Sequence, residues 1–417
     1  MNKHILLLPL LTAASFSHAG EPSTEDIIKS PDIFKSLTPT LDIRTRFEFR
    51  DQDGFEASHA WTTRARVGLK SAEFSGFSAF VEAEATYAFA DDFRSNPTGN
   101  DSTDPFQADN TTISDPNNFE LNRAWVQYQK NGFRAKLGRQ RIIRNEAAFI
   151  GNVGWRQNEQ TFDAIELSYE NDKLSLAYVY SDRVLRIFGN DSNDARVPGD
   201  GPPLQDFEGD FHFIDASYDT GSGTVGGYVY LIDVDNNSNV GESNTFGAFY
   251  KGNGLHAEFA YQDGESTLFS GSDYDALYGH LKYTHKVGKS SYIAGVEYLE
   301  NGFKTPFATV HAFNGFADAF ILQRIGLTNA GGFDGLTDAY IGYIRKGLPW
   351  GLTFKGFAHY YTDDSIDNSY GWEVDAVLVK KFNENLTGIL KAAYFEADND
   401  AGFSDIKQVS MEMNYKF

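Results

Sequence analysis

From Pro39 to the last residue, apolar side chains recur at every second position. Leu41, Ile43, Thr45, Phe47 and Phe49 alternate with Asp42, Arg44, Arg46, Glu48 and Arg50. Trp61, Thr63, Ala65, Val67 and Leu69 alternate with Thr62, Arg64, Arg66 and Lys70. At the far end, Val409, Met411, Met413, Tyr415 and Phe417 alternate with Ser410, Glu412, Asn414 and Lys416. Successive side chains on a strand point to opposite faces, so each stretch carries one greasy and one polar face. Such stretches occur at 39–50, 59–70, 77–90, 119–130, 132–141, 161–170, 173–183, 211–219, 224–233, 243–251, 254–262, 274–285, 290–300, 336–346, 350–362, 369–382, 385–397 and 406–417. That is 18, an even count, as bacterial single-chain barrels require.

The connections sort by length. After every even-numbered strand comes a short turn: 71–76, 131, 171–172, 220–223, 252–253, 286–289, 347–349 and 383–384. The odd connections include the long loops 91–118, 142–160, 184–210 and 301–335. A soluble β-sandwich would not sort its loops this way. The pattern predicts an all-β fold: a transmembrane antiparallel β-barrel of about 18 strands, with short periplasmic turns and long extracellular loops. The 417 residues are then one ring rather than two or three soluble domains. A mean hydropathy of −0.41 is no sign of solubility, since half of each strand faces water.

Charge and cysteine count exclude several functions. The net charge is −22, which argues against nucleic acid as a partner. Much of the acid lies in odd-numbered loops, as in Asp91, Asp92, Asp101, Asp104 and Asp109, which the barrel reading places outside the cell. Zero cysteines rule out disulfides, thiolate metal sites and cysteine nucleophiles.

The N-terminus fits a secretory signal over 1–19. Lys3 gives a basic start, Ile5–Leu11 an apolar stretch, and Ser17-His18-Ala19 the small residues before cleavage. Residues 20–38 read as a periplasmic lead-in and 39–417 as the barrel. The terminal Phe417 on an alternating strand resembles the recognition signal of outer-membrane barrel proteins, which implies the barrel-assembly machinery as a partner.

Four runs narrow the resemblance. Leu137-Gly138-Arg139-Gln140 closes the fifth strand, and residues 149–163 follow with Trp155-Arg156-Gln157 and Phe162-Asp163. His311-Ala312-Phe313-Asn314-Gly315-Phe316-Ala317-Asp318 and Tyr370-Gly371-Trp372-Glu373-Val374-Asp375 come later. Together they resemble the alginate-export porin family, from about residue 40 to Phe417. The resemblance implies an 18-stranded barrel in the outer membrane of a Gram-negative bacterium, set in lipid and lipopolysaccharide. It also implies an anionic saccharide as cargo, an Arg- and Lys-lined pore and a monomer.

If apolar residues face lipid, the alternate set lines the lumen. This assigns Arg44, Arg46, Arg64, Arg66, Arg134 and Lys136 to the pore wall. Arg139 and Arg141 share parity with Leu137. Either a bulge at Gly138 turns them inward, or they sit above the bilayer, because a charge at mid-depth on the lipid face costs ~2–4 kcal/mol. Arg144 and Arg156 belong to a loop that could fold into the channel. Of 17 arginines, 12 lie between Arg44 and Arg156, so one wall is expected to be basic. Glu258, Glu297, Glu373 and Asp375, with Lys282 and Lys355 among them, give the later wall an acidic cast. Arg suits carboxylate, sulfate or phosphate solutes because its fork matches them. The alternative is a ladder of ion pairs, in which Glu82 and Glu84 neutralise Arg64 and Arg66 across strands. Both remain open at this point.

Aromatics near strand ends, such as Tyr87, Phe89, Tyr169, Tyr218 and Tyr415, fit interfacial girdles. Tyr278 and Tyr361 point inward, where packing outweighs sugar stacking. Family positions match His311 and His359, which read as hydrogen-bonded structural histidines, the latter on the pore path. No serine-hydrolase elbow or zinc-protease motif occurs. His280 and His285 are five apart, face opposite sides of a strand and cannot share a metal. No catalytic residue, metal or cofactor is expected. The sequence therefore points to a passive channel for anionic solutes, alginate-like in the family's sense. A barrel-rim hydrolase and a surface adhesin using the acidic loops are the alternatives.

Overall fold

Strands with one greasy and one polar face need a closed ring, which hides every backbone edge from lipid. The computed structural model describes residues 36–97, 104–189, 205–268, 273–328, 332–398 and 401–417. The signal segment at 1–19 and the lead-in up to residue 35 lie outside the described residues.

Eighteen strands follow in chain order. The first nine are β1 (Thr38–Gln52), β2 (Ser58–Lys70), β3 (Phe77–Asp92), β4 (Asn118–Lys130), β5 (Phe133–Gln140), β6 (Thr161–Glu170), β7 (Leu174–Leu185), β8 (Asp206–Asp219) and β9 (Thr224–Val234). The rest are β10 (Glu242–Gly252), β11 (Leu255–Glu265), β12 (Asp273–Val287), β13 (Ser290–Leu299), β14 (Leu336–Arg345), β15 (Thr353–Thr362), β16 (Ser369–Lys381), β17 (Leu386–Ala397) and β18 (Ile406–Lys416). Each pairs antiparallel with its sequence neighbours, and β1 pairs with β18 to close the barrel. At the seam the Leu41 amide donates to the Phe417 carbonyl at 3.0 Å, and the Phe417 amide returns to Leu41 at 2.8 Å.

The strand positions agree with the alternation, with one clear extension. β8 begins at Asp206 rather than at 211, because the polar stretch before Phe211 pairs with Arg183, Val184 and Leu185 of β7. One end of the barrel carries only short turns, and the other carries the long connections 93–117, 141–160, 186–205 and 300–335. Val67, Leu137 and Met411 are each more than half exposed on the outer face, while Arg64 and Arg66 on the inner face are buried. Among the described residues no helix is long and apolar enough to cross a membrane.

A bulge exists, but one strand earlier than Gly138. Glu82 stands opposite Arg123 and Ala83 opposite Leu121, which leaves Asn122 as the extra residue of β4. The bulge turns Arg123 inward against Glu82 while Phe119 and Leu121 stay outside. β5 has no register break on either side. Gly138 is needed for another reason: its φ is +116°, and a Cβ there would strike the Ala124 carbonyl. Arg139 therefore keeps the outward parity of Leu137. It stands directly opposite Asp163 and makes a bidentate pair with it at 2.8 and 2.9 Å, close to the long-loop end of the barrel. It belongs to the outer wall, which corrects its assignment to the pore path. The pair neutralises a charge that the lipid-facing side would otherwise penalise.

Candidate functional site: the lumen and its two inward loops

The polar inner face of the barrel does not line an empty tube. Two of the long loops fold into it and lock together.

Loop 141–160 starts at the end of β5, where Arg141 pairs bidentately with Glu159 at 2.7 and 2.6 Å. Arg144 reaches Glu166 of β6 at 2.6 Å and Asp215 of β8 at 3.4 Å. The chain then crosses the lumen. Lys251 of β10 donates to the Asn145 amide oxygen at 2.8 Å, and Lys282 of β12 meets Glu146 at 3.1 Å. Burial tends to raise the Glu146 pKa, but Lys282 and Lys251 outweigh it and hold it at about 2. Phe149 packs among Tyr228, Tyr230, Tyr278 and Phe303. On its return the loop offers three carbonyls, those of Gly154, Trp155 and Arg156, to the Arg44 guanidinium, each at 3.0 Å. Glu159 ends the loop fully buried, accepting from Arg66, Arg141, Asn122 and Asn152.

Loop 300–335 enters from the opposite wall. Arg324, on a single helical turn, pairs bidentately with Glu297 of β13 at 3.0 Å. Asn314 donates to Glu297 at 2.8 Å and to Asp338 of β14 at 3.2 Å. The Ala317 amide donates to Glu373 of β16 at 2.7 Å. Gly315, with φ +81°, lets the backbone approach that carboxylate so closely that a Cβ would collide with it. His311 sits between Asp318 (3.0 Å) and the Lys391 ammonium (2.5 Å), with its ring stacked on Trp155 at 3.4 Å. Burial pushes the His311 pKa down to about 3.

The loops meet in a short bridge of backbone. The Gly151 amide donates to the Phe307 carbonyl at 2.8 Å, and the Thr309 amide to Ala147 at 3.0 Å. Gln160 donates to both Gly151 and Phe307, at 2.8 and 3.0 Å.

The expected pore residues divide accordingly. Arg44, Arg46, Arg64 and Arg66 face inward, as alternation required, but lie beneath loop 141–160 rather than against open solvent. Arg46 meets Glu412 at 3.0 Å and Glu48 and Asp115 at 3.4 Å. Arg64 pairs with Asp42, and Arg66 with Glu84 and Glu159. Arg134 meets Glu166 at 2.8 Å, and Lys136 lies 4.0 Å from it. Arg156 meets Glu48 at 3.2 Å. His359 donates to or accepts from Asp338 at 3.0 Å, between the rings of Tyr340 and Tyr361. Lys355 is half-buried on β15 and, among the described residues, has no ion-pair partner. Tyr278 and Tyr361 are fully buried against Glu297 and Glu373, so neither is available to stack on a sugar.

A cavity of about 350 Å³ opens above the interlocked loops, at the long-loop end. Arg50, Arg94, Arg156 and Arg186 line it, together with Trp155, Phe188, Phe403 and a single carboxylate, Asp318. Among the described residues no carboxylate lies within ion-pair distance of Arg50, Arg94 or Arg186. Arg50 donates instead to the Ala317 carbonyl and Gln408, at 2.8 and 2.6 Å. Arg186 lies against the faces of Phe188 and Phe207, and one of its terminal nitrogens is buried with no hydrogen-bond partner. Burial pushes its pKa down to about 9, which still leaves it charged at neutral pH. Sequence reasoning counted Arg50 and Arg94 in the basic stretch but did not single them out. Arg186 carried no signal, because only the folding of two distant loops sets it beside the others.

The family model described as alginate export matches residues 36–182. This bears out the resemblance over the first seven strands and loop 141–160; the runs at 311–318 and 370–375 lie beyond it. No curated protein matches the sequence. Among solved structures, the chain is similar to Acinetobacter baumannii OccAB3, with 13% identity, a TM-score of 0.64, and coverage of 92% of this chain and 99% of that one. It is also similar to Pseudomonas aeruginosa OccK9 (OpdG), at 14% identity and a TM-score of 0.62, covering 92% of this chain and all of that one. At these identities the likeness is one of fold: a closed 18-stranded antiparallel barrel.

Proposed function

We propose that this chain is a channel in the outer membrane of a Gram-negative bacterium, through which small acidic solutes diffuse down their gradient. The solute class is saccharide acids, uronates of the alginate type. We read it as a conduit and not an enzyme. The observation that carries the reading is the cavity at the outer mouth, where Arg50, Arg94 and Arg186 stand without carboxylate partners among the described residues. A guanidinium kept charged in a buried place favours a bound anion, and its fork suits a carboxylate. The aromatic rings beside it supply faces for a sugar ring. A cavity of this volume holds one or two sugar units rather than a chain, so cargo passes the constriction end-on. Below the cavity, the interlocked loops narrow the passage, and selectivity follows from that geometry and the local field.

The test is reversal potential in a planar bilayer under a salt gradient, followed by block with D-mannuronate oligomers against neutral oligosaccharides of equal length. Anion preference and block by the uronates are expected. The triple variant R50Q/R94Q/R186Q should lower both several-fold while the channel still conducts. Cation selectivity in the unaltered protein, or equal block by neutral sugars, would overturn the reading.

A further inference from the structure

We infer that the lumen holds a binding site for a divalent transition metal of the zinc class, built from His256, Glu258 and His280. Register places these residues together. His256 and Glu258 are two apart on β11 and share its inner face, and Glu258 stands directly opposite His280 on β12. Their ligand atoms all lie within 4.8 Å of one another, and all three side chains are nine-tenths or more buried. Small rotations would bring them around one ion, at the bond lengths of about 2.0–2.2 Å that zinc makes to nitrogen and oxygen.

The surroundings fix the ligands as a metal site would need. Tyr228 donates to one oxygen of Glu258 at 2.7 Å, and Asn145 of the inward loop donates to the same oxygen. The Tyr340 hydroxyl lies 2.8 Å from Nε2 of His280, leaving Nδ1 for a metal. Nε2 of His256 lies 3.0 Å from the other Glu258 oxygen. An ion between them would take the place of the proton that Nε2 and this carboxylate share, and Nε2 would be its ligand. The Nδ1 of His256 is buried and has no hydrogen-bond partner. Outer partners on Glu258 and His280 are of the kind that orients ligands toward a metal.

The donor set selects the ion. Two imidazoles and a carboxylate suit zinc, nickel, cobalt or copper, whereas calcium and magnesium prefer all-oxygen shells. Water would complete four-coordination, and behind the ring Glu146, the half-exposed tip of loop 141–160, has its Oε2 3.9 Å from His256 Nδ1, placed to become that imidazole's outer partner. Through that imidazole the ion would couple the tip of the constricting loop to the β11–β12 wall, near the short-turn end of the lumen. Lys251 and Lys282 hold Glu146 there without it. In the sequence Glu258 stood out only as an inward acid of the later wall, His256 did not stand out, and His280 was weighed only against His285, which lies on the opposite face.

The experiment uses the folded full-length barrel in detergent, stripped of metal, and titrates Zn²⁺ by calorimetry and Co²⁺ by visible absorption. One saturable equivalent is expected, with the intense visible bands of four-coordinate Co²⁺. H256A and H280A should each weaken binding by at least ~10-fold, and E146Q by less. Replacing the exposed His59 and His285 should leave it unchanged. Folding of every variant is checked by heat-dependent gel mobility. If H256A does not fold, the wild-type Co²⁺ spectrum and the His59/His285 variant still decide. Absence of saturable binding, an octahedral Co²⁺ spectrum, or loss of binding on replacing the exposed histidines would each overturn the site.

Discussion

The two walls of the lumen solve opposite charge problems. On the β1–β6 wall, arginines crowd together, and acids of the same wall neutralise most of them: Glu84 takes Arg66, Glu82 takes Arg123, Asp42 takes Arg64. The surplus donors of Arg44 are met by backbone carbonyls of loop 141–160. On the β13–β16 wall the acids are in excess. There loop 300–335 presents donors: the Arg324 guanidinium, the Asn314 amide and the Ala317 backbone N–H. Each loop turns the complementary backbone or side-chain polarity toward its wall. A charged barrel interior therefore specifies which loop docks where, and the ion pairs serve loop placement before they serve a solute.

The largest effect is expected where both the wall and the loop converge on one acid. Glu159 is fully buried and receives Arg66, Arg141, Asn122 and Asn152. E159Q removes the charge while keeping the shape, leaving Arg141 with no acid. Breaking a buried pair in this way costs ~3–5 kcal/mol. Denaturant unfolding should record that loss, and single-channel current should become larger and noisier as loop 141–160 lifts. Unchanged current would mean that the wall, and not the loop, sets the constriction.

The acidic wall should respond less. In R324M, Glu297 loses its bidentate partner but keeps the Tyr278 hydroxyl and the Asn314 amide. About 2 kcal/mol is expected, the scale of hydrogen bonds to a charged group. Protease access to loop 300–335 from the long-loop side should increase, with loop 141–160 still protected. If both loops open together, the two walls are not separable.

This contrast explains what could be read from the sequence. The outer face follows a period of two and is set by its exposed apolar side chains, so every strand was legible, down to Val67 outside and Arg66 inside. The inner face is set by contacts between residues far apart in the chain. Arg123 has the wrong parity for the lumen and enters it only through the bulge at Asn122. Arg139 stays outside on the parity of Leu137, without the bulge that would have turned it inward, and Asp163 on β6 is there to receive it. Arg186 and Glu159 lie in loops, where no periodicity says which way a side chain turns. Alternation could thus say that a basic wall exists, but not that a loop would cover it.

A smaller effect should appear on acidification, and at one point only. His311 is neutral in the folded loop, with its pKa pushed by burial to about 3. In the unfolded loop it returns to about 6.5. The unfolded state then binds the extra proton, so docking is fully present above pH 6.5 and weakens as pH falls towards 3, by up to ~1.4 kcal/mol per unit. Asp318 opposes protonation loss by its charge, while Lys391 and Arg156 repel a second cation. Burial raises the Asp318 pKa, but the hydrogen bond from His311 and the charges of Arg156 and Arg50 outweigh it and hold Asp318 below its ordinary range, so it acts in the same direction at lower pH. Proteolysis of loop 300–335 should accelerate between pH 7 and pH 5, and H311Q should flatten that dependence. A pH-independent rate would place the imidazole outside the docking energetics.

The smallest effect tests whether the walls communicate. The Phe307 carbonyl accepts from both the Gly151 amide and Gln160, and Thr309 accepts from the Val153 amide at 2.8 Å. Q160A and T309V each remove one link between the loops, at roughly 1 kcal/mol. If the loops dock independently, each on its own wall, the two losses add. If the bridge makes one body of them, the first substitution already loosens what the second would break. The double variant is then less destabilised than the sum, by ~1 kcal/mol, the range seen for residues in one network. The bridge of two backbone bonds, Gly151 to Phe307 and Thr309 to Ala147, favours coupling. A coupled result would also predict that a ligand in the Arg50–Arg186 cavity, which touches residues of both loops, stabilises both against protease together.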